Sequence, residues 1–350
     1  MRKFVIGDIH GCYDELIELT EKIGLTESDL LISLGDIVDR GNKSKEVYEY
    51  FKNRPNSIVL IGNHERKHQN KVLSYAQEIV KVQFGDEYQN FIDWIQTLGY
   101  YYETEEAIIV HAFFEHDKKL TEQKQEVLCG STSGDRYLDK KYPENKYWNE
   151  FYTEQKPIIY GHHVVGDNPK IFNNTYGIDT GACHGKYLTA IELPGFIIHQ
   201  VKAKKDYWNE EQKTWQIPVL KTKNWNEMTF VEIDRQIEKL SYIKDPEVVS
   251  YLLEIKIWKE EIENSIEKIK LSIDSLTKEL INQYKEEFNI KVNTHILKTY
   301  IFKSKSNKLT IEDLQKGLNT PIKILNAQQE LGMNIPNYKI QDIQTTSPYS

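Results

Sequence analysis

Five short polar motifs, each placed directly after an apolar run, carry the side chains of this chain that could do chemistry. They supply carboxylate, amide and imidazole groups, which are ligands suited to Mn, Fe, Zn or Ni. Any one of these motifs is a weak signal, but their repetition predicts a metal site. The motifs are GDIHG at residues 7–11, GDIVDRG at 35–41, GNHE at 62–65, HA at 111–112 and GHH at 161–163.

The apolar runs before the motifs are the elements that must position these side chains. In open α/β sheets, ligand sites form beyond the carboxyl ends of the strands. We therefore expect the five motifs to meet at the edge of a sheet. The runs, whose composition is typical of β-strands, cover residues 3–6, 30–34, 58–61, 108–110 and 157–160.

Helical patterns follow the first two motifs, which indicates alternating strands and helices. Leu16, Leu19 and Ile23 recur at helical spacing, and Gly24 stands where helices commonly end. After the second motif, Ser44 is predicted to cap the next helix. The predicted fold class is therefore α/β.

The ordered combination of motifs resembles the calcineurin-like metallophosphoesterases, and within them the phosphoprotein-phosphatase branch, which carries complete DRG and NHE motifs. The resemblance covers residues 1–205. It implies a β-sandwich flanked by helices, with a two-metal site at the strand ends. By motif position, the implied metal ligands are Asp8 and His10 for the first metal, Asp36 bridging both metals, and Asn63, His111 and His162 for the second.

The resemblance also implies which residues act on the phosphate. His64 is similar to the catalytic imidazole, Asp39 to the carboxylate that orients it, and Arg40 to the guanidinium that holds the phosphate oxygens. Arg136 is the candidate for a second phosphate-binding arginine, although its sequence context diverges more.

The implied reaction is hydrolysis of phosphomonoesters by a metal-activated hydroxide, as in serine/threonine phosphatases. Two metals can clamp a phosphate and lower the pKa of a bound water. The implied cofactors are two divalent or mixed-valence metal ions, with Mn favoured over Fe, Zn or Ni. No glycine-rich phosphate loop with Lys and Ser or Thr occurs in the sequence, so no kinase module is expected.

A second function hypothesis rests on the stretch IDTG at residues 178–181. This stretch resembles a bacterial subgroup that includes the phosphatase module of polynucleotide kinase–phosphatase. It favours hydrolysis of nucleotides or of RNA or DNA ends, such as a dinucleoside polyphosphate, a 3′-phosphate or a 2′,3′-cyclic phosphate. Symmetric dinucleoside tetraphosphatases typically lack the acid found at Asp39, which weighs against that class. A third hypothesis is a metal-binding scaffold that acts through a helical domain.

Several residues near the motifs have two interpretations. Asp179 is either an additional metal ligand, or a carboxylate behind the ligands, or a loop aspartate before a glycine turn. Phe113 either stacks on a substrate ring or packs in the core. In the GHH motif His162 is expected to bind metal, and His163 to form a pocket wall or support the ligands. His68 is interpreted as an ordinary surface or core histidine, and Cys12 as a small space-filler.

Composition limits the remaining function classes. A net charge of −8 argues against chain-wide attraction for nucleic acid. The three cysteines have no paired spacing, which fits a reducing compartment. The sequence enters a strand directly without a signal-peptide pattern, and no apolar run approaches membrane-spanning length. The predicted localisation is cytoplasmic, with no membrane partner.

Beyond residue 205 no family resemblance is found, and the domain prediction rests on pattern alone. Residues 206–244 are predicted to be a Trp-rich connector, made of short strands or otherwise ordered. Residues 245–331 are predicted to form a helical domain, and residues 332–350 a flexible tail.

An apolar seam dominates the predicted helical domain. Its 4-3-4 spacing is typical of a coiled coil, and it predicts one long helix of about 40 residues that begins near Pro246 and ends near Asn289. Such a seam needs a partner, either a helix of the same chain around residues 310–331, or a homodimer or protein partner bound through residues 250–290. The seam residues are Ile262, Ile266, Ile269, Ile273, Leu276 and Leu280.

Overall fold

The computed structural model describes residues 1–333, which divide into two compact units. We call Met1–Trp215 the catalytic unit and the part from Gln216 onward the helical unit. The predicted flexible tail at 332–350 lies outside the described residues, apart from its first two positions. Among the described residues, no helix is both long and apolar enough to cross a membrane.

All strands of the described chain lie in the catalytic unit. The apolar runs predicted as strands all appear among them. The strands are β1 Lys3–Ile6, β2 Leu30–Ser33, β3 Ser57–Val59, β4 Tyr101–Glu103, β5 Ile108–Val110, β6 Ile158–Tyr160, β7 Lys170–Phe172, β8 Thr175–Gly177, β9 Tyr187–Leu193 and β10 Ile197–Lys202.

Helices occur in both units. In the catalytic unit they are α1 Tyr13–Lys22, α2 Ser44–Asn53, α3 Asn63–Gln69, α4 Tyr75–Phe84, α5 Tyr88–Ile95, α6 Gln125–Leu128, α7 Thr132–Lys141 and α8 Tyr207–Thr214. In the helical unit they are α9 Gln216–Lys221, α10 Phe230–Leu240, α11 Pro246–Asn264, α12 Ile266–Tyr284, α13 Phe288–Val292, α14 Lys298–Lys305, α15 Ile311–Gly317 and α16 Pro321–Glu330.

The strands form two mixed five-stranded sheets. The first has the order β10-β9-β1-β2-β3, and the second has the order β4-β5-β6-β8-β7. β1, β2 and β3 run parallel to one another, and so do β5, β6 and β8. Because the carboxyl ends of parallel strands share one edge, each sheet presents three consecutive loops on the same side.

The alternation of side chains along the strands builds a sandwich. Val5 and Ile32 of the first sheet share an apolar cluster with Ile109 and Ile159 of the second. Phe4, one position away from Val5, faces the opposite side, where it joins the helices that cover the first sheet. This period of two lets each central strand bury both faces. The predicted β-sandwich flanked by helices is confirmed.

Two local predictions need correction. Ser44 is the first residue of α2, and its hydroxyl accepts from the backbone N–H of Asp39 at 3.1 Å, so it does not cap the helix. Residues 206–244, expected to be short strands or an otherwise ordered connector, contain no strand and form α8, α9 and α10. Tyr207 of α8 donates its hydroxyl to Glu15 of α1 at 2.9 Å, and the catalytic unit extends past residue 205 to Trp215.

The helical unit contains the apolar seam, and its prediction as one continuous helix was wrong. The seam is divided at Ser265 into α11 and α12. Ile269 and Ile273 are fully buried, in one cluster with Ile301 and Leu314 of the same unit. The helix start is as predicted, with Asp245 capping and Pro246 at the first helical position. The seam therefore finds its partners within this chain.

Candidate dinuclear metal site

The polar motifs meet where the loops after the parallel strands of both sheets converge. All six side chains that the sequence proposed as metal ligands are gathered there, on loops or helix starts that follow a strand. Asp8 and His10 follow β1, Asp36 follows β2, Asn63 begins α3 after β3, His111 follows β5 and His162 follows β6.

Asp36 lies at the centre of this cluster. One carboxylate oxygen, Oδ2, is 3.6 Å from Nε2 of His10 and 3.6 Å from Nε2 of His111. The ligand atoms of Asp36, His10 and His64 all lie within 4.8 Å of one another, and the same holds for Asp36, His111 and His162. Asp36 is shared by both groups, which is the arrangement that a carboxylate bridging two metals requires.

Asn63 completes the second group. Its Oδ1 atom lies 3.2 Å from Nε2 of His111 and 3.0 Å from Nδ1 of His162. An amide oxygen and two imidazole nitrogens that converge at these distances match the mixed oxygen and nitrogen ligand set of first-row divalent metals.

The protonation states of the buried histidines suit metal binding. Burial lowers the pKa of His10, His111 and His162 below the ordinary value of histidine. An imidazole with a lowered pKa is neutral near pH 7, and the neutral form is the one that coordinates a metal.

Three carboxylates crowd together beside these imidazoles. Burial, reinforced by the charges of Asp179 and Asp36, raises the pKa of Asp8 well above its usual value. Burial likewise raises the pKa of Asp179 to about 6. Burial alone would also raise the pKa of Asp36, but the nearby imidazoles of His111, His64 and His10 hold it lower. Buried carboxylates that repel one another in this way fit a site made for cations.

His64, the candidate catalytic histidine, lies against the cluster of candidate metal ligands and is held by a carboxylate. Nδ1 of His64 lies 2.6 Å from Oδ2 of Asp39, while Nε2 lies 3.1 Å from the guanidinium of Arg40. Both His64 and Asp39 are buried. The Nδ1–H donated to Asp39 leaves Nε2 facing the place where Arg40 would hold a phosphate.

Asp39 is itself held by two further side chains to which the sequence alone assigned no role in the site. Nε2 of His68 lies 3.0 Å from Oδ1 of Asp39, and Gln77 donates its amide N–H to Oδ2. Nδ1 of His68 lies 2.8 Å from the hydroxyl of Tyr88. His68 is therefore a core histidine with both ring nitrogens hydrogen-bonded, as one of its interpretations had it, but its contact with Asp39 was not predicted. The signal that could have found it is its spacing, because His64 and His68 stand one turn apart on α3.

Glu65, the last residue of the GNHE motif, ties two ligand loops together. Its carboxylate accepts from the backbone N–H groups of Asp36 at 2.8 Å, Ile37 at 2.9 Å and Gly62 at 3.0 Å. Burial raises its pKa to about 8, with the charge of Asp36 adding to that effect. The loop after β2 and the start of α3 are thereby fixed relative to each other.

The backbone of the site is strained at several functional residues. A positive φ is uncommon for residues other than glycine, costs roughly 1–3 kcal/mol, and persists where the surroundings enforce it. The concentration of such residues at one site indicates that the loops are held in conformations that serve the ligands. The site residues with a positive φ angle are His10 at 48°, Asp36 at 49°, Asp39 at 71°, Arg40 at 67° and His162 at 73°.

Two glycines leave room for the carboxylates. A Cβ atom at Gly62 would lie 2.1 Å from Oδ1 of Asp36, and one at Gly161 would lie 2.1 Å from Oδ1 of Asp8. Such contacts are far inside van der Waals distance, so a side chain at either position would displace a ligand.

The remaining sequence candidates differ in how close they lie to the ligand cluster. Asp179 is buried and its carboxylate accepts from the N–H of Gly181 at 3.0 Å. Arg136 lies on α7 with an exposed side chain, and none of the contacts among the described residues links it to the metal ligands. Burial raises the pKa of Cys12 well above that of a free thiol, which argues against a reactive thiolate there.

Two aromatic residues lie next to the site, Phe113 in the core and His163 at the surface. Phe113 is buried, and its ring meets that of His162 edge to face with centroids 5.2 Å apart. Phe113 therefore packs behind the candidate metal ligand His162 and offers no free face for stacking. His163 is exposed and lines a pocket together with Phe113, in line with the predicted pocket wall.

Comparison with known proteins extends this picture. A family model described as calcineurin-like phosphoesterase matches residues 1–184, which include all the motifs above. The asymmetrical bis(5′-nucleosyl)-tetraphosphatase PrpE of Bacillus subtilis (strain 168) is 30% identical over 233 residues, covering 54% of this chain and 90% of the relative. The PrpE of Bacillus cereus (strain Q1) is 30% identical over 243 residues, covering 60% and 98%.

Solved structures also align with this chain. One is a protein serine/threonine phosphatase from Saccharomyces cerevisiae with similarity to human phosphatase PP5. It is 15% identical, with a TM-score of 0.40, covering 59% of this chain and 81% of that one.

Proposed function

Because the chain belongs to the calcineurin-like phosphoesterases, we propose that it hydrolyses a phosphate anhydride or ester of a nucleotide, with a dinucleoside polyphosphate as the leading substrate class. The observation that carries the chemistry is the convergence of the ligand cluster, the His64–Asp39 pair and Arg40 in one place. The observation that favours the substrate is that the similar PrpE proteins are asymmetrical bis(5′-nucleosyl)-tetraphosphatases, and this chain covers 90% and 98% of the length of two of them.

Two metal ions would be held by the residues that the motifs supply. Asp8 and His10 would bind one, Asp36 would bridge, and the group of Asn63, His111 and His162 would bind the other, with Asp179 behind Asp8. Bound metals in such a pair neutralise phosphate charge and activate water. We propose Mn as the metal, because the mixed carboxylate, amide and imidazole set suits it.

The side chains of the protein supply the remaining steps. Arg40 offers a charged fork that matches two phosphate oxygens. His64 in its protonated form donates from Nε2 to the leaving oxygen, while Asp39 keeps the ring in place through Nδ1. Arg136 is proposed as a second phosphate contact, and Arg136→Ala tests that role.

Hydrolysis of phosphomonoesters in the manner of serine/threonine phosphatases is the second candidate. The observation that favours it is the complete pair of DRG and NHE motifs, including Asp39. Hydrolysis of RNA or DNA ends, with 3′-phosphate or 2′,3′-cyclic groups, follows from the IDTG stretch.

A matched substrate panel with the Mn-reconstituted protein tests these candidates. It contains bis(5′-adenosyl) tetraphosphate, an aryl phosphate, a phosphoserine peptide and RNA with 3′-phosphate or 2′,3′-cyclic ends. We expect the highest kcat/KM on the dinucleotide. A higher value on the peptide or RNA would replace the proposed substrate, and activity on none of the four, despite bound metal, would favour the scaffold hypothesis.

We also propose that the enzyme acts in the cytoplasm, since its three cysteines are unpaired and buried. A homodimer or protein partner bound through residues 250–290 is a separate proposal. Because the coiled-coil-like seam is largely buried within the chain, such a partner would contact the exposed Val249, Leu253 and Ile257 of α11. Light scattering after size exclusion would measure the oligomeric state, and a monomeric mass at all concentrations would reject the homodimer.

A further inference from the structure

A pocket of about 390 Å³ lies beside the candidate metal ligand His162. Two of the residues that line it, Phe113 and His163, have ring centroids 5.2 and 4.3 Å from that of His162. Small-molecule sites typically have volumes of about 300–1,000 Å³. A group bound in this pocket would therefore be the part of a substrate attached to a phosphate at the metal site.

One side of the pocket is aromatic. The ring of the exposed His163 lies 6.4 Å from that of Tyr147, with an interplanar angle of 41°. Phe113 is buried behind both, with centroids 5.6 Å from His163 and 5.9 Å from Tyr147. Aromatic rings supported from behind in this way can stack on a base, and such stacking tolerates any base because every base has a π-face.

The lining of the pocket also contains acidic side chains. Asp135, Asp139 and Glu144 line it, and Lys146 is the one lysine or arginine among its lining residues. The ammonium of Lys146 lies 2.8 Å from Glu150 and is paired there. Carboxylates repel a further phosphate, but they accept hydrogen bonds from amino groups, as they do from the N4 amino group of cytosine. The lining therefore suits the uncharged, amino-bearing end of a nucleotide.

We propose that this pocket, which we call the base pocket, binds an amino-bearing nucleobase of the substrate. Tyr147 and His163 stack on the base, and Asp135 accepts a hydrogen bond from its exocyclic amino group. This inference rests on the proposed function and adds to it a site that recognises one end of a dinucleoside polyphosphate. Uracil presents a carbonyl group where adenine and cytosine present an amino group, so a uridine nucleotide fits the base pocket less well.

The test compares kcat/KM for bis(5′-adenosyl) tetraphosphate and bis(5′-uridyl) tetraphosphate in the wild-type protein, in Asp135→Asn and in Asp86→Asn. Asp86 is an exposed carboxylate outside the base pocket and serves as the matched control. We expect the wild-type protein to prefer the adenosine compound. Asparagine can both donate and accept, so Asp135→Asn should reduce this preference about tenfold, the scale of one base contact. Asp86→Asn should leave the preference as it is.

The outcomes separate this inference from the proposed function. If the wild-type protein hydrolyses both dinucleotides equally well, or if Asp135→Asn keeps the wild-type preference, the base pocket is overturned and the hydrolase stands. A higher kcat/KM of Asp135→Asn on both compounds would mean that the carboxylate only repels polyphosphate, which also overturns it. Hydrolysis of neither dinucleotide by the wild-type protein overturns both proposals.

The test also includes a phosphoserine peptide with a neighbouring arginine as a third substrate, because carboxylates also bind guanidinium groups. If the wild-type protein prefers this peptide to the dinucleotides and Asp135→Asn removes that preference, the pocket recognises a peptide and the nucleobase assignment is wrong.

Discussion

The catalytic unit and the helical unit differ most in what they bury. The catalytic unit buries carboxylates and imidazoles together, among them Asp8, Asp36 and His111. The described part of the helical unit buries no aspartate, glutamate or histidine, and its core is almost wholly apolar. Burying a charge is costly unless it is paired or binds a metal. In the catalytic unit this cost falls on residues that metal ions would stabilise, whereas the helical unit buries one charged side chain among its described residues, Lys259, which is paired with Asp234.

The largest expected effect is on Asp36, the shared member of both ligand groups. Asp36→Asn should lower kcat by roughly a thousandfold or more, because it removes the negative charge that both metals would share. Steady-state hydrolysis and bound-metal analysis would measure this, and circular dichroism would check the fold. Asp86→Asn is the matched control. Near-normal turnover of Asp36→Asn would refute the site assignment.

A smaller effect is expected when the space around that carboxylate is filled. Gly62→Ala should lower kcat by roughly a hundredfold, since its Cβ atom would lie 2.1 Å from Oδ1 of Asp36 and displace it. Gly99→Ala is the matched control, because the nearest atom to its Cβ would be 3.7 Å away. Equal activity of the two variants would show that the Asp36 carboxylate moves aside without harm.

Removing a hydrogen-bond donor to Asp39 should have a moderate effect, and this effect should appear in kcat. His68→Ala should lower kcat about tenfold and leave KM within twofold, because Asp39 loses a donor that helps to orient it toward His64. His68→Gln, whose amide N–H can replace the donor, should recover most of the activity. If glutamine fails to rescue, or if KM rises as much as kcat falls, His68 only supports the fold.

The smallest effect on activity should come from the helical core. Ile269→Ala should destabilise the helical unit by about 2–4 kcal/mol, because the side chain is fully buried in its apolar cluster. Turnover of a small aryl phosphate should stay within twofold. Leu271→Ala, at a residue that is 68% exposed, should change stability little. Denaturant unfolding followed by circular dichroism would measure the stability of both variants. A large loss of turnover in Ile269→Ala would show that the helical unit contributes to catalysis as well as to packing.

Much of the catalytic unit was predictable because its signals are local. The apolar runs overlap β1, β2, β3, β5 and β6. Of these, the central strands β1, β2, β5 and β6 are buried on both faces and therefore appear in the sequence as continuous apolar segments. The exposed strand β7 has no such signal and was not predicted. The order of motifs also led to the family, which the comparisons confirmed.

The break in the long helix could not be read from the same kind of pattern. The 4-3-4 spacing continues across Ser265, so periodicity predicts one helix. The structure instead has the Ser265 hydroxyl donating to the carbonyl of Ile262 at 2.6 Å, a local bond that competes with helix continuation. The burial of the seam against Ile301 and Leu314 depends on how later helices fold back, which spacing cannot reveal.

The sequence by itself determined which chemical groups are present, in what order, and after which strands. These are local properties of residue type and spacing. Only the tertiary structure decided which groups lie close enough to interact electrostatically and to form hydrogen bonds with one another. Asn63 and His162 are 99 positions apart, yet their side-chain atoms lie 3.0 Å from each other. That distance, like the meeting of His68, Gln77 and Asp39, depends on the order of strands and the packing of helices, because side chains remote in sequence meet only when the whole sheet has formed.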